Sequence, residues 1–440
     1  MGADRRAPMG SVNGPRVMLP VRLLFPGMQI KRWLVLLLAG ITSLALAIAG
    51  ILLEAYRAVE LPPQSPTQTW VSLLTLQTIS PTARAAVLAL GGVLLGGVGL
   101  IGLGRSILDA ERSARSGRLL DKLERRRRRR TDTRIVAIGG GTGLSTLLRG
   151  LKLHSLNLTA IVTVADDGGS SGRLRESLGI HPPGDFRQCI AALADTEPLM
   201  EALFQYRFGQ GELGGHAFGN LFLAAMAGIT GSFENGLRAA SKVLAVSGRI
   251  MPSTLAHVTL FAELADDSVM KGESQVPHGE APIRRVFIEP ASPPAFPEAV
   301  NAILTADLVI LGPGSLYTSV LPNLLVPDIA AALAATRAPV VYVANVATQP
   351  GETDGYSLTE HLRALERHIP PGIIDRVLAN DNLATPLPPD APVTRVLPEL
   401  DPGEGGRPRL VKADLVSPLV PTHHDSLRLA EAVMAMVAEG

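Results

Sequence analysis

The chain has 440 residues, 46% hydrophobic but only 4% aromatic, with 44 Gly, 34 Pro and one Cys, which allows two or three domains and a large core. Its single Cys189 excludes an intrachain disulfide scaffold and a cysteine-rich zinc cluster. The formal net charge of +1 hides two opposite halves: residues 1–134 carry 20 Lys+Arg against 8 Asp+Glu, residues 135–440 carry 21 against 32, and +12 cancels −11.

A basic tail over residues 1–32 leads into an uncharged stretch from Trp33 to Leu53, rich in Leu, Ile and Ala. At about 1.5 Å per residue, such a helix is about 30 Å long, the thickness of a bilayer core. A second uncharged run, 85–104, is bounded by Arg84 and Arg105 and contains Gly91, Gly92, Gly96, Gly97, Gly99, Gly102 and Gly104. Small residues of this kind suit close packing of membrane helices. The expectation is a two-helix transmembrane hairpin, 33–55 and 85–104, joined by an external loop over 56–84; two buried helices of a soluble core are the alternative. Basic residues cluster before the first run and after the second, so both termini and the main domain are expected on the cytoplasmic side of the plasma membrane. Residues 105–133 form an Arg-rich juxtamembrane linker. Its run Arg125 to Arg130 suits anionic lipid headgroups better than nucleic acid, since no aromatics interleave it for base stacking.

Beyond Thr133 the pattern becomes that of an α/β domain over 134–440, with short apolar runs closed by glycine-rich turns and followed by helical stretches. Arg134 to Ile138 reads as a buried strand, Gly139-Gly140-Gly141-Thr142-Gly143 as a turn, and Leu144 to Leu151 as a helix. Leu158 to Val164 is a second strand, ending in Asp166-Asp167-Gly168-Gly169-Ser170-Ser171-Gly172-Arg173. Leu308 to Leu311 runs into Gly312-Pro313-Gly314-Ser315, and Val340 to Val343 into Asn345 and the Thr348-Gln349 loop. Strands alternating with helices imply a mostly parallel sheet with helices on both faces and ligands at the carboxyl ends of its strands. Met251 to Pro293 reads instead as an antiparallel excursion, 381–409 as a long surface connection, and 425–437 as a last amphipathic helix.

The Gly139 to Gly143 loop, between a strand and a helix, is a natural anion site. It matches neither a dinucleotide fingerprint, because Leu144 or Thr146 stands where the third glycine belongs, nor a P-loop, because no Lys-Ser/Thr follows. Asp166 and Asp167, at the end of the second strand, can accept from ribose hydroxyls or hold Mg²⁺ beside phosphates; an Asx-turn is the structural alternative for Asp167. Gly168 to Arg173 offers amides, two hydroxyls and a guanidinium to a phosphoryl oxygen. Asp185 reads as either an N-cap or a site carboxylate, and Arg187 as an anion contact. His216 to Asn220 opens a further helix, with Gly219 and Asn220 as ligand contacts and His216 behind them. Gly312, Gly314 and Ser315 form a second anion loop, and two such loops favour a nucleotide diphosphate over one phosphate. His423-His424-Asp425 reads poorly as a metal site, with Asp425 as an N-cap, and Cys189 as a core residue.

These motifs, with Pro182-Pro183-Gly184-Asp185, His216-Ala217-Phe218-Gly219-Asn220-Leu221, Gly312 to Thr318 and Thr348-Gln349-Pro350-Gly351-Glu352-Thr353, occur in the order seen in the gluconeogenesis factor family, the YvcK branch of the CofD-like proteins. The resemblance covers nearly all of 134–425. It implies a Rossmann-like core and binding of a UDP-sugar such as UDP-N-acetylglucosamine, in a regulator of cell shape, cell-wall and carbon metabolism, and it suggests homodimers. The sister branch, 2-phospho-L-lactate transferase, implies a different activity: Mg²⁺-dependent transfer from a nucleotide-activated donor, with the metal on an aspartate at the place of Asp166 or Asp167. A tubulin-like GTPase fits less well, since Ser145 replaces the final glycine of that motif. Two departures from the family stand out: Thr348 follows Ala347 where Met is usual, and the hairpin is an addition to the core. No nucleophile paired with a base stands in the motifs, so catalysis is left open, with Asp166 and Asp167 the candidates.

Overall fold

The computed structural model describes residues 37–46, 48–50, 80, 83, 86–87, 89–94, 96–100, 133–155, 157–195, 198–401 and 408–438. It divides into two units, Met1–Arg130 and Thr131–Gly440.

In the first unit the apolar helices are Leu37–Gly50 and Ala89–Leu100. Each is shorter than the roughly 20 residues that cross a bilayer core, and no single helix among the described residues is long and apolar enough to do so. The expected hairpin is therefore not seen as such. Its outer turns, the basic tail 1–32, almost all of 56–84 and the arginine run 125–130 lie outside the described residues. What is described is a close contact between the two helices: a Cβ on Gly40 would stand 2.6 Å from the Gly96 amide nitrogen and 2.9 Å from the Gly92 carbonyl oxygen. A Cβ on Gly92 would likewise stand 3.0 Å from the Gly40 carbonyl oxygen, whereas one on Gly91, Gly96 or Gly97 would meet nothing within 4 Å, so the close approach is confined to Gly40 and Gly92 and is not spread along the glycine run.

The second unit is built on a seven-stranded sheet in the order β10-β9-β8-β7-β1-β2-β3, comprising β1 (Ile135–Gly139), β2 (Leu158–Val162), β3 (Arg249–Pro252), β7 (Leu308–Leu311), β8 (Val340–Val343), β9 (Arg376–Asn380) and β10 (Arg409–Ala413). Every pairing in it is parallel. β1, β2, β7 and β8 are buried at every position, as Val/Ile/Leu-rich strands covered on both faces must be. β1 is the pivot: its Ile135 faces Leu158 of β2 on one side and Leu308 of β7 on the other. The chain winds outward from β1 in both directions, leaving a switch point at the carboxyl ends of β1 and β7. An open α/β sheet presents its ligand crevice there.

The excursion after β3 is a separate three-stranded antiparallel sheet, β5-β4-β6, formed by β4 (Thr259–Leu264), β5 (Val269–Lys271) and β6 (Ile283–Glu289). β4 alternates half-buried and buried positions, as a strand with one solvated face does. A 3₁₀ helix, Glu273–His278, follows β5. The last helix, Ser426–Ala438, packs on the first, Gly141–Leu151, where the Ser426 carbonyl oxygen occupies the space of a Cβ at Gly150. Asp425 caps that last helix, accepting from the amides of Leu427 and Arg428 at 2.9 and 3.0 Å. Cys189 is buried in the core.

Candidate functional site

At the switch point lies a cavity of about 630 Å³. The two glycine-rich loops form its floor, and they touch. A Cβ on Gly143 would fall 2.5 Å from the Pro313 carbonyl oxygen and 2.8 Å from the Gly314 nitrogen, so no larger residue permits this approach. The first loop is partly helix already, since Gly141–Leu151 begins inside it after an extended Gly140. Gly140 offers that terminus no side chain of its own, Asp185 takes the Gly141 amide, and Gly140, Gly141, Thr142 and Gly143 line the cavity.

The second loop is built differently. Gly314 and Ser315 line the cavity, but the π turn that follows, Leu316–Val320, is already occupied at its amino end. Buried Glu352 accepts from the Tyr317 amide at 3.1 Å and from the Thr318 hydroxyl at 3.0 Å. Burial holds the pKa of Glu352 above the usual range, and these hydrogen bonds oppose the shift. The second anion site expected at this helix end is thus filled by the protein's own carboxylate. Ser315 is held by the Gln349 side-chain amide at 2.7 Å, while the Asn345 side-chain amide donates to Gly314 O and to Gln349 Oε1, each at 3.0 Å. Thr348 lines the cavity and accepts from the Thr394 amide at 2.9 Å.

Acidic groups form the opposing wall: Asp166, Asp185 and Glu273. Asp185 does not cap its helix. Gly184–Leu193 starts one residue earlier, with Pro183 at the N-cap, and the Asp185 carboxylate turns toward Gly140 and accepts from the Gly141 amide. Burial first, and the charge of Asp166 second, push Asp185 up to about 7. Burial, then Asp166 and Asp185, push Glu273 up to about 8. Asp166 is also raised by burial, while the Gly168 amide, donating at 2.9 Å, and Ser171 oppose the shift.

The two aspartates separate by role. Asp166 makes the Asx-type turn and faces the cavity. Asp167 does not line it; its carboxylate accepts from the Ser274 amide at 2.9 Å and ties the strand end to the 3₁₀ helix. Gly139 and Gly312 end their strands side by side beneath the floor. Gly168, Gly169, Ser170, Ser171 and Gly172 form the start of the helix Gly169–Leu178 and do not line the cavity. Nor do Arg173, Arg187, Gly219 and Asn220. Arg187, only 7% exposed, donates to Asn220 Oδ1 at 3.0 Å and to the Gln205 side chain, so it cross-braces helices instead of meeting a ligand in this cavity.

No Lys or Arg lines the cavity. Charge on a bound diphosphate must therefore be met by loop amides, by protonated carboxylates or by a divalent cation. Among the described residues no group of three or more His, Cys, Asp or Glu is placed to hold a metal by itself. Mg²⁺ commonly takes one or two carboxylates and completes its shell with water and substrate phosphates, and Asp166 on the cavity wall fits that partial role.

Several lining residues carry no motif signal: Thr146, Thr163, Gln188, Glu273, Ala391, Val393, Thr422, His423 and His424. Thr146, Thr163 and Gln188 stand within three residues of Gly143, Asp166 and Asp185, whereas the others arrive from distant segments that only the fold brings together. His424 is a packing residue as well as a lining one. It is buried, within 3.1 Å of Ala344 O, and burial lowers it to about 4.

A family described as 2-phospho-L-lactate transferase CofD matches residues 135–389. The gluconeogenesis factor of Bacillus subtilis strain 168 is 54% identical over 248 residues, 56% of this chain and 78% of that protein. A Nostoc sp. PCC 7120 protein bearing the gluconeogenesis-factor name is 50% identical over 351 residues, 78% of this chain and 75% of that one. A crystal structure of a UPF0052 family member from Bacillus halodurans is similar at a TM-score of 0.65 and 43% identity, covering 69% of this chain and 99% of the other.

Proposed function

This chain belongs to the CofD family, with gluconeogenesis factors among its relatives, and from that premise we propose that it is a membrane-tethered, cytoplasmic-facing binder of a UDP-sugar such as UDP-N-acetylglucosamine that regulates cell-wall and carbon metabolism. One observation carries the reading: a glycine-built helix terminus opens into a cavity of about 630 Å³ at the switch point of a parallel sheet. That volume suits a nucleotide-sized ligand. The floor presents amides to a diphosphate, and the acidic wall presents acceptors to hydroxyl-rich groups.

The tether rests on the two long uncharged stretches, the basic flanks and the close glycine contact between Gly40 and Gly96. The Nostoc alignment is longer than the second unit, so the likeness to that protein reaches into the first. Lipid would then be the partner of Arg125 to Arg130.

Calorimetric titration of the protein with UDP-N-acetylglucosamine tests the ligand. Saturable heat that disappears in Gly143→Val is the expected result; binding of GDP or a deazaflavin in its place overturns it. Sedimentation with the membrane fraction, resistant to high salt, tests the tether, and recovery in the soluble fraction removes it.

A second reading, a Mg²⁺-dependent transferase of the 2-phospho-L-lactate type, is favoured by the acidic wall. Mg²⁺, when bound, would neutralise phosphate charge, which is most of what such transfer needs. In that reading Asp166 would hold the ion, with Asp185 and Glu273 beside it. Turnover of a nucleotide-activated donor that is lost in Asp166→Asn would establish this activity.

A further inference from the structure

Outside the cavity, the hydrogen-bond donors around the helix start Gly169–Leu178 converge without enough acceptors. Arg187 Nε donates to Asn220 Oδ1 at 3.0 Å, which fixes the Asn220 amide, and its Nδ2 donates to Ser170 Oγ at 3.0 Å. From the other side Arg173 Nε donates to His216 Nε2 at 3.3 Å. That leaves the imidazole proton on Nδ1, which stands 3.1 Å from the same Ser170 Oγ. Both lone pairs of this hydroxyl are thereby taken, and its own proton is unspent.

Around it stand guanidiniums with few acceptors. Arg173 Nη2 reaches Gly214 O at 3.2 Å and Arg207 Nη1 reaches Gly215 O at 2.7 Å, so both arginines fold over the same Gly214-Gly215-His216 turn. Among the described residues their remaining N–H groups have no hydrogen-bond acceptor, and neither arginine, nor Arg187, has a carboxylate within ion-pair distance. Burial, then the charges of Arg173 and Arg207, lower the pKa of His216, so the imidazole stays neutral between two cations. Arg173 and Arg207 are exposed, and the turn is open to solvent.

We propose that Arg173 and Arg207, held around His216 by the buried Ser170, form a second anion subsite, separate from the glycine-loop cavity, that takes the phosphoryl group of a small metabolite. Two exposed guanidiniums with unspent donors can reach the oxygens of a phosphoryl group from two sides. The subsite is wired to the main cavity. Ser170 and Ser171 are neighbours on one helix, and Ser171 hydrogen-bonds the cavity carboxylate Asp166 and accepts from the Gly184 amide at 3.0 Å. This inference goes beyond nucleotide-sugar binding and does not depend on it.

The test is calorimetry of the full chain in detergent with inorganic phosphate as probe, alone and with saturating UDP. Phosphate should bind at about millimolar affinity, persist when UDP is present, and weaken about tenfold or more in Arg207→Gln and in Arg173→Gln. Arg207→Lys should recover part of the loss, and UDP affinity in Arg207→Gln should stay within about twofold of the parent. Both arginines are exposed, so unchanged melting temperatures will show that the variants are folded. Absence of phosphate heat, displacement of phosphate by UDP, or parental binding in both glutamine variants each overturns the proposal. Should UDP fail to bind, the nucleotide reading falls, and the arginine dependence of the phosphate heat still decides this one.

Discussion

The two glycine-rich loops at the ends of β1 and β7 look alike in sequence and sit side by side, yet the carboxylates that meet their helix ends are placed differently. After Gly140 the Gly141 amide is taken by Asp185, a carboxylate that itself lines the cavity. After Ser315 the equivalent end is plugged by Glu352 through Tyr317 N and Thr318 Oγ1. A buried helix end must find an acceptor; at the first loop that acceptor stands on the cavity wall, whereas Glu352 does not line the cavity. The difference teaches that a glycine motif marks a sharp strand-to-helix passage, while the identity of the cap decides whether it binds anything.

The hardest test of this contrast is Gly143→Val. Its side chain would drive into Pro313 and Gly314, so loss of ligand binding and about 1–3 kcal/mol of stability are expected by calorimetry and thermal melting. Glu352→Ala should follow, costing about 1–3 kcal/mol by stranding the Tyr317 amide while weakening nucleotide binding much less. Nucleotide binding lost in that variant, with stability intact, would reverse the roles assigned to the two loops.

Charge on the acidic wall gives the next effect. Asp185 and Glu273, raised to about 7 and about 8, ionise as pH rises through that window and then repel a diphosphate. Affinity measured without divalent cations should therefore fall from pH 6 to pH 9, and Asp185→Asn should flatten the curve. The folded state holds the Glu273 proton above the ordinary value of 4.5, so the stability this group contributes is complete at acid pH and lost as pH climbs toward 8. Glu273→Gln should accordingly raise the melting temperature at pH 8 and leave it nearly unchanged at pH 5. The smallest effect is expected of Asp167→Asn: its carboxylate holds Ser274 and not the cavity, so nucleotide affinity should stay within about twofold.

The strands and the switch point were legible because buried parallel strands are written as unbroken apolar runs closed by glycine. β9 and β10 were not, since both fall within or beside a Pro-rich stretch and β10 is a half-exposed edge strand. The first glycine loop, Asp166 and Thr348-Gln349 were readable as local motifs. Glu273 and the His423-His424 wall were not, because their segments carry no motif and reach the cavity only by tertiary packing. The arginines misled for a related reason. Arg173 and Arg187 stand near glycine-rich segments in sequence, but helix geometry turns them to the far side of Ser170, where they meet His216 and Asn220.

The central position of β1 bears on how the protein is made. Its two neighbours are β2, which follows within a few dozen residues, and β7, which pairs Leu308 with Ile135 across most of the domain. The cavity wall then waits for His424, near the carboxyl end. During synthesis the glycine cradle therefore exists long before it is enclosed, and contacts so remote in sequence form slowly. A ligand seated on the first loop would favour that late closure by binding only the enclosed, folded chain.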